Sequence, residues 1–113
     1  MYDRFKYRVW DKLSQKYHNG MEVFDYMRGV LSPDKYVMEQ CTGLKDKNGK
    51  LIYEGDIVEL DDCELYASIE WEDEAGCWNI NTIENTIYTF DNLYGYELTI
   101  VGNIHENADL LGE

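Results

Sequence analysis

Thr42-Gly43-Leu44-Lys45-Asp46-Lys47-Asn48-Gly49-Lys50-Leu51-Ile52-Tyr53-Glu54-Gly55-Asp56-Ile57-Val58 reads as strand end, hairpin turn, short strand, sharp corner and strand. Asn48-Gly49 suits a tight primed turn, in which both central residues accept positive φ. At the corner Gly55 supplies backbone freedom, and Asp56 can fold its carboxylate back onto the turn's amides. Ile57, Val58 and Leu60 are then left to enter a sheet. Asp56 as an acid or base catalyst is the sharper reading; a turn-capping aspartate is the commoner one, because Asx side chains so regularly bind local backbone.

Outward from this block, period-two alternation dominates. Leu65, Ala67, Ile69 and Trp71 alternate with Tyr66, Ser68, Glu70 and Glu72, which predicts a half-buried strand with Trp71 on its inner face. Asp73-Glu74-Ala75-Gly76 follows as a turn, and Trp78 and Ile80 resume the alternation, so a hairpin is expected. Tyr88 with Phe90, Leu98 with Ile100, and Phe5, Tyr7 and Val9 show the same pattern. Asn19-Gly20 marks another turn, and Pro33 a loop before extended structure resumes over Tyr36 to Gln40. Residues 20–31 fit a helical face or a strand and are read as irregular or strand. Asn107 is placed to cap a single turn through Ala108 to Leu111, with Leu110 and Leu111 closing one end of the core.

Many short strands, frequent turns and little helix predict a mainly β protein, a small single-domain barrel-like or two-sheet antiparallel architecture over residues 1–113. Gly43, Gly49, Gly55, Gly76, Gly95 and Gly102 are spaced like corners where strands pass from one sheet to the next. At 113 residues, the surface scaling laws leave about two thirds of the extended chain's area available for burial, enough for a core without staples. Apolar residues make up 44% and aromatics 14%, which argues for folding rather than disorder. There is no run of 18 apolar residues and no signal-peptide pattern at the N-terminus, so a cytoplasmic protein with no membrane contact is expected.

The charge is lopsided. The net charge is -13; all ten basic residues lie in the first 50 positions beside seven acids, and residues 51–113 hold sixteen acids with no Lys or Arg. Such a field steers encounters and rejects like-charged surfaces, which makes nucleic acid an unfavoured partner for the second half. Arg4, Lys6, Arg8, Lys12 and Lys16 could form a basic track; a solvated strand face is the plainer reading. The acidic candidates for a protein-binding surface are Asp61, Asp62, Glu70, Glu72, Asp73 and Glu74. With Glu64 they could also attract a hard cation, yet the spacing is not that of an EF-hand, and exposed strand acids are the simpler account. Cys41, Cys63 and Cys77, with only His18 and His105 as company, fit neither a closed zinc site nor a disulfide framework. P-loop, dinucleotide-binding, GxSxG and HExxH patterns are absent. No catalytic residue, cofactor or metal is expected.

The block from Thr42 to Val58 closely resembles the shared core of the YopX family of small phage and prophage proteins, a string similar to YTGLKDKNGKEIYEGDIV. Cys41 stands where that family tends to have an aromatic residue, and Leu51 where it is usually polar. Ile100 to Leu111 resembles the family's VIGNIYENPELL, with His105 replacing an aromatic and Ala108 a proline; Phe5 to Asp11 resembles its FRAWD opening more loosely. The structural motif residues are Gly43, Asn48, Gly49, Gly55, Asp56, Gly102 and Asn103. The resemblance implies a phage or prophage origin in a bacterium and a mainly β fold, and supplies no catalytic residues. His105, in an aromatic's slot, is read as packing rather than as a ligand or acid-base group.

Four functions compete. A non-enzymatic module that binds another macromolecule suits the β scaffold and its ten tyrosines. A narrower version has the acidic half imitate nucleic acid and occupy a basic host protein. A third has the basic N-terminal strand bind nucleic acid, with Tyr7 and Trp10 as stacking surfaces. The fourth is an enzyme with an unfamiliar acid or cysteine site. Exposed edge strands leave a homo-oligomer open.

Overall fold

A computed structural model describes residues 6–18, 34–60, 65–74, 76–82, 87–89 and 97–112. The expectations for Phe5, Asn19-Gly20, residues 20–31, Pro33, Phe90 and Gly95 fall outside them. Nine strands are described: β1 (Tyr7–Asp11), β2 (Lys16–His18), β3 (Tyr36–Lys45), β4 (Leu51–Tyr53), β5 (Asp56–Leu60), β6 (Leu65–Glu72), β7 (Cys77–Thr82), β8 (Ile87–Thr89) and β9 (Leu98–Asn103). A 3-10 turn, Ala108–Leu111, follows. They form two antiparallel sheets, β2-β1-β3-β4 and β8-β7-β6-β5-β9. The mainly β, two-sheet architecture read from the alternation is the one observed. Among the described residues no helix is long and apolar enough to cross a membrane.

The chain passes between the sheets at the Glu54-Gly55 turn linking β4 to β5. Gly55 has φ +85, a left-handed conformation that costs an L side chain roughly 1–2 kcal/mol. Its N–H donates to the Ile69 carbonyl and its own carbonyl accepts from the Ile104 N–H, both at 2.9 Å. The corner is therefore tied to β6 and to the segment after β9. Glu54 N–H donates to the Gln40 carbonyl of β3, so both sheets hold this one turn.

The main core gathers Ile52 from β4, Val58 and Leu60 from β5, Ala67 and Ile69 from β6, Ile80 and Leu98. Successive strand residues point to opposite faces, yet Ile57 and Val58 are both fully buried. β5 is thus covered on both sides, as the unbroken Ile-Val pair suggests. Fully burying each such aliphatic side chain contributes about 1.5–3 kcal/mol.

Four expectations need correction. Of the described glycines read as corners between sheets, only Gly55 is one: Gly49 and Gly76 turn hairpins within a single sheet, and Gly43 and Gly102 lie inside β3 and β9. Trp71 is not inward: it is 43% exposed, while Ser68, in the phase read as solvent-facing, is buried. The C-terminal 3-10 turn packs against β6 and covers the strand where simple alternation placed water. The Asn48-Gly49 hairpin exists, but not as a primed turn: Gly49 has φ +82, and Asn48 is not among the positive-φ residues. The loop spans residues 46–50, where the Asp46 N–H donates to the Lys50 carbonyl. The Asp46 carboxylate braces it by accepting from the N–H groups of Asn48 and Lys50, each at 2.9 Å, and from Ile100 of β9 at 3.0 Å. Finally, Asn107 stands at the N-cap of the 3-10 turn without capping it. Its Oδ1 accepts from the Asn103 N–H at 3.1 Å, and Leu110 and Leu111 are half-buried rather than core.

Candidate functional site

Two features sit side by side at the junction of the sheets: a buried ionic joint and a pocket opening beside it.

The joint grows from strand register. Arg8 of β1 lies directly opposite Glu39 of β3, so their side chains share a face. Arg8 Nε donates to Glu39 Oε1 at 2.9 Å, and its terminal nitrogen donates to Asp56 Oδ1 at 2.8 Å and to the Glu54 carbonyl at 3.2 Å. The guanidinium lies 4.0 Å from the Tyr17 ring centroid and 4.7 Å from that of Tyr53, a cation–π arrangement. Asp56 Oδ2 accepts from the Tyr53 N–H at 2.7 Å. The Asx role read from sequence is therefore only half of what Asp56 does; its other oxygen locks β5 to β1.

Glu39 is equally saturated. Oε1 also accepts from the Tyr17 hydroxyl at 3.0 Å, and Oε2 lies 2.8 Å from His105 Nε2. The His105 ring stacks on Trp10 with centroids 4.6 Å apart and planes 6° from parallel. Asn103 holds the histidine's loop: its Oδ1 accepts from the N–H groups of His105 and Glu106, both at 3.0 Å. Gly102 lets the Asn107 side chain lie where a Cβ would stand, and a Cβ on Gly55 would meet Glu39 Oε2 at 2.5 Å. Gly43, with φ +85, lies in β3 where its register with β4 shifts.

Burial and neighbouring charges together set the titration of Arg8, Asp56 and Tyr17. Burial pulls the Arg8 pKa down, but Asp56, Tyr17 and Glu39 outweigh it and hold it above the ordinary value. Burial pushes Asp56 up, against the opposing pull of Arg8 and the Tyr53 N–H. Burial also drives Tyr17 far above the usual phenol range, with Glu39 adding to the effect while Arg8 opposes it. A carboxylate pair with about 3% side-chain exposure is stable only because cation and donors are all in place.

Beside the joint lies a pocket of about 530 Å³, bounded among others by Met38, Glu54, Gly55, Glu70, Trp71 and Ile104. Trp71 is held edge-on against Trp78, its cross-strand partner, with ring centroids 5.1 Å apart. Burial pushes Glu54 above the usual carboxylate range, helped by Glu39 and Asp73 and opposed by the Gln40 N–H and Arg8.

Of the six acidic candidates, Glu70, Glu72, Asp73 and Glu74 occupy the end of the β6–β7 hairpin; Asp61 and Asp62 lie outside the described residues. Glu70, exposed, accepts from the Ser68 hydroxyl at 3.0 Å and from the Asn81 amide. Asp73 and Glu74 are exposed in the turn, and Glu72 is half-buried with Oε1 accepting from the Glu74 N–H. Among the described residues no three His, Cys, Asp or Glu are grouped to hold a metal. Cys41 is buried and Cys77 half-buried, and neither is in a disulfide among the described residues.

Sequence reading missed Glu39 altogether and placed Arg8 on a solvated basic face. One signal was available: Trp10 stands two residues from Arg8, hence on the same side of β1, and an indole there marks a face that is covered. Trp10 is in fact 2% exposed.

Fold and joint together describe a small antiparallel two-sheet protein whose sheets are tied by an ionic lock. The chain belongs to the YopX family, whose model, described as YopX protein, matches residues 22–112. Glu39, Gly55, Asp56 and His105 fall within the matched span, and Arg8 and Trp10 precede it. The chain is also similar to the crystal structure of protein EF1440 from Enterococcus faecalis, at 25% identity and a TM-score of 0.64, over 94% of this chain and 96% of that one. No curated protein matches.

Proposed function

We propose that this chain is a non-enzymatic binding module, a phage or prophage accessory working in a bacterial cytoplasm, that docks a basic protein through the acidic, tryptophan-bearing end of the β6–β7 hairpin. The observation that carries the reading is Trp71, 43% exposed, beside exposed Glu70, Asp73 and Glu74. An indole amid carboxylates offers contact area and a complementary field together. The buried joint supports the same reading from the other side: each oxygen of Glu39 and Asp56 already has a partner, so these acids serve the scaffold. Acid-base chemistry there would have to break the lock that holds the sheets.

Direct nucleic-acid binding through β1 loses its two best contributors, since Trp10 is buried and Arg8 is committed to Glu39 and Asp56. The test is capture of basic host proteins on the immobilised chain across a salt series, beside the Asp73→Asn/Glu74→Gln variant. A specific partner retained at low salt, released as salt rises and lost with the variant is expected. Capture indifferent to both salt and variant would refute the acidic-face reading; displacement of the partner by duplex DNA would favour the narrower reading, nucleic-acid mimicry.

A further inference from the structure

The pocket at the sheet junction has a chemistry of its own. Among the described residues that line it, three are glutamates, Glu39, Glu54 and Glu70, and none is basic. Glu39 is fully engaged by Arg8, Tyr17 and His105. Glu54 differs: its carboxylate accepts a 3.4 Å bond from the Gln40 N–H, too long to satisfy a half-buried charge. The rim carries two exposed apolar side chains, Trp71 at 43% and Ile104 at 41%. The volume, about 530 Å³, falls within the range of small-ligand sites.

We propose that this pocket receives an arginine side chain presented by the partner protein, with the guanidinium meeting Glu54 and Glu70 and its plane lying on the Trp71 indole. The inference rests on the reading above that the partner is basic, and it names the subsite. Charge complementarity selects a cation: burial and the neighbouring acids Glu39 and Asp73 hold Glu54 above the ordinary carboxylate range, a cost that an incoming positive charge would relieve. The form of the lining selects an organic one. Hard metals need several oxygens converging at short range, and no three candidate ligands are so grouped among the described residues. A guanidinium stacks on indole and forks onto carboxylates, while an ammonium is a compact, strongly hydrated point charge. Met38 and Ile104 suit the aliphatic stem of a long side chain.

The test is an amide NMR titration of the full chain with acetyl-Gly-Arg-Gly-amide, with the citrulline peptide as neutral isostere and the lysine peptide as second control. Saturable shifts at the Gly55 amide and the Trp71 indole N–H are expected, with a Kd on the order of 1–10 mM for so small a probe. Citrulline should bind about tenfold more weakly and lysine several-fold more weakly. Glu54→Gln keeps an acceptor for the Gln40 N–H and removes the charge; its own spectrum reports that the fold is intact, and it should weaken arginine binding at least about threefold. Equal binding of citrulline and arginine, no saturable shift at Gly55 and Trp71, or shifts confined to the Asp73–Glu74 turn would overturn the proposal. Its failure is separable from that of the broader reading. Partner capture abolished by Asp73→Asn/Glu74→Gln and untouched by Glu54→Gln, with no arginine titration, removes the pocket alone. A normal arginine titration with salt-insensitive capture removes the acidic-face reading alone.

Discussion

Replacing Arg8 with methionine should remove a large share of the protein's stability. Methionine keeps much of the aliphatic volume but deletes the cation, leaving Glu39 and Asp56, each with 3% side-chain exposure, without their counter-charge. Three donated bonds disappear, at 2.9, 2.8 and 3.2 Å, along with the contacts to the Tyr17 and Tyr53 rings. Breaking a buried ion pair from one side costs about 3–5 kcal/mol, against a total of about 5–15 kcal/mol for a domain of ordinary stability. With a urea slope of about 1.5 kcal/mol/M, the midpoint should fall by at least about 2 M. Equilibrium urea unfolding followed by tryptophan fluorescence measures this, and Trp10, stacked on His105 beside the joint, reports locally. Arg8→Lys should fall between, at about 1–3 kcal/mol, because an ammonium keeps the charge and loses the fork that reaches Glu39, Asp56 and the Glu54 carbonyl together. The methionine deficit should also shrink on acidification. Burial already pushes Asp56 above its ordinary value against the pull of Arg8; without Arg8 its carboxyl takes up a proton in the folded state at higher pH than in the unfolded chain, so that part of the penalty is relieved as pH falls through its raised pKa. An Arg8→Met midpoint equivalent to within about 1 kcal/mol of the parent at pH 7, where a buried pair predicts about 3 or more, would refute the lock.

Gly55→Ala and Gly49→Ala share a left-handed φ, +85 and +82, but only Gly55 has a neighbour where the Cβ would go. Gly49→Ala should cost about 1–2 kcal/mol for backbone strain alone, and Gly55→Ala more, since Glu39 must yield; equal thermal shifts would contradict the close approach. At Asp46, burial pushes the pKa up, but the N–H groups of Ile100, Lys50 and Asn48 prevail and hold it below the ordinary value. Asp46→Asn turns one acceptor into a donor and should cost about 1–2 kcal/mol at pH 7. Because the folded pKa is depressed, that gap should be full above the unfolded pKa and close as pH falls through the folded value; a gap that stays constant into acid would show that the carboxylate charge is not responsible. Glu54 carries the opposite sign. Its raised folded pKa disfavours the charged form in the native state, so Glu54→Gln should be as stable as the parent or more so at pH 7, with any advantage fading as pH falls through that pKa. Chemical denaturation at pH 7 and pH 4 checks this, and a less stable Glu54→Gln at pH 7 would be the contrary result.

Local chemistry made much of the scaffold legible. The Asp73–Gly76 turn, the strands on either side of it and the Gly55-Asp56 corner follow from period-two alternation and turn residues acting within a few positions. The resemblance to the family rested on the same stretch. The ionic joint was not legible, and the reason is distance along the chain. Arg8 and Glu39 are 31 residues apart, Arg8 and Asp56 48, and Glu39 and His105 66. Nothing in the pattern of one strand says which strand will lie beside it, and only the placement of β1 against β3, with β5 entering from the second sheet, turns three scattered charges into a lock.

Trp71 shows the same division at a single residue. Alternation correctly makes it a strand position and assigns it a face, but whether that face meets protein or solvent depends on where β6 runs past its neighbours. Residue order thus determined the strands, turns and corner, because those are decided by sterics and hydrogen bonding within a few residues. Tertiary packing alone decided which charges are buried, which indole is left exposed and where the pocket opens, because desolvation depends on what comes to cover a group, and covering elements arrive from far along the chain.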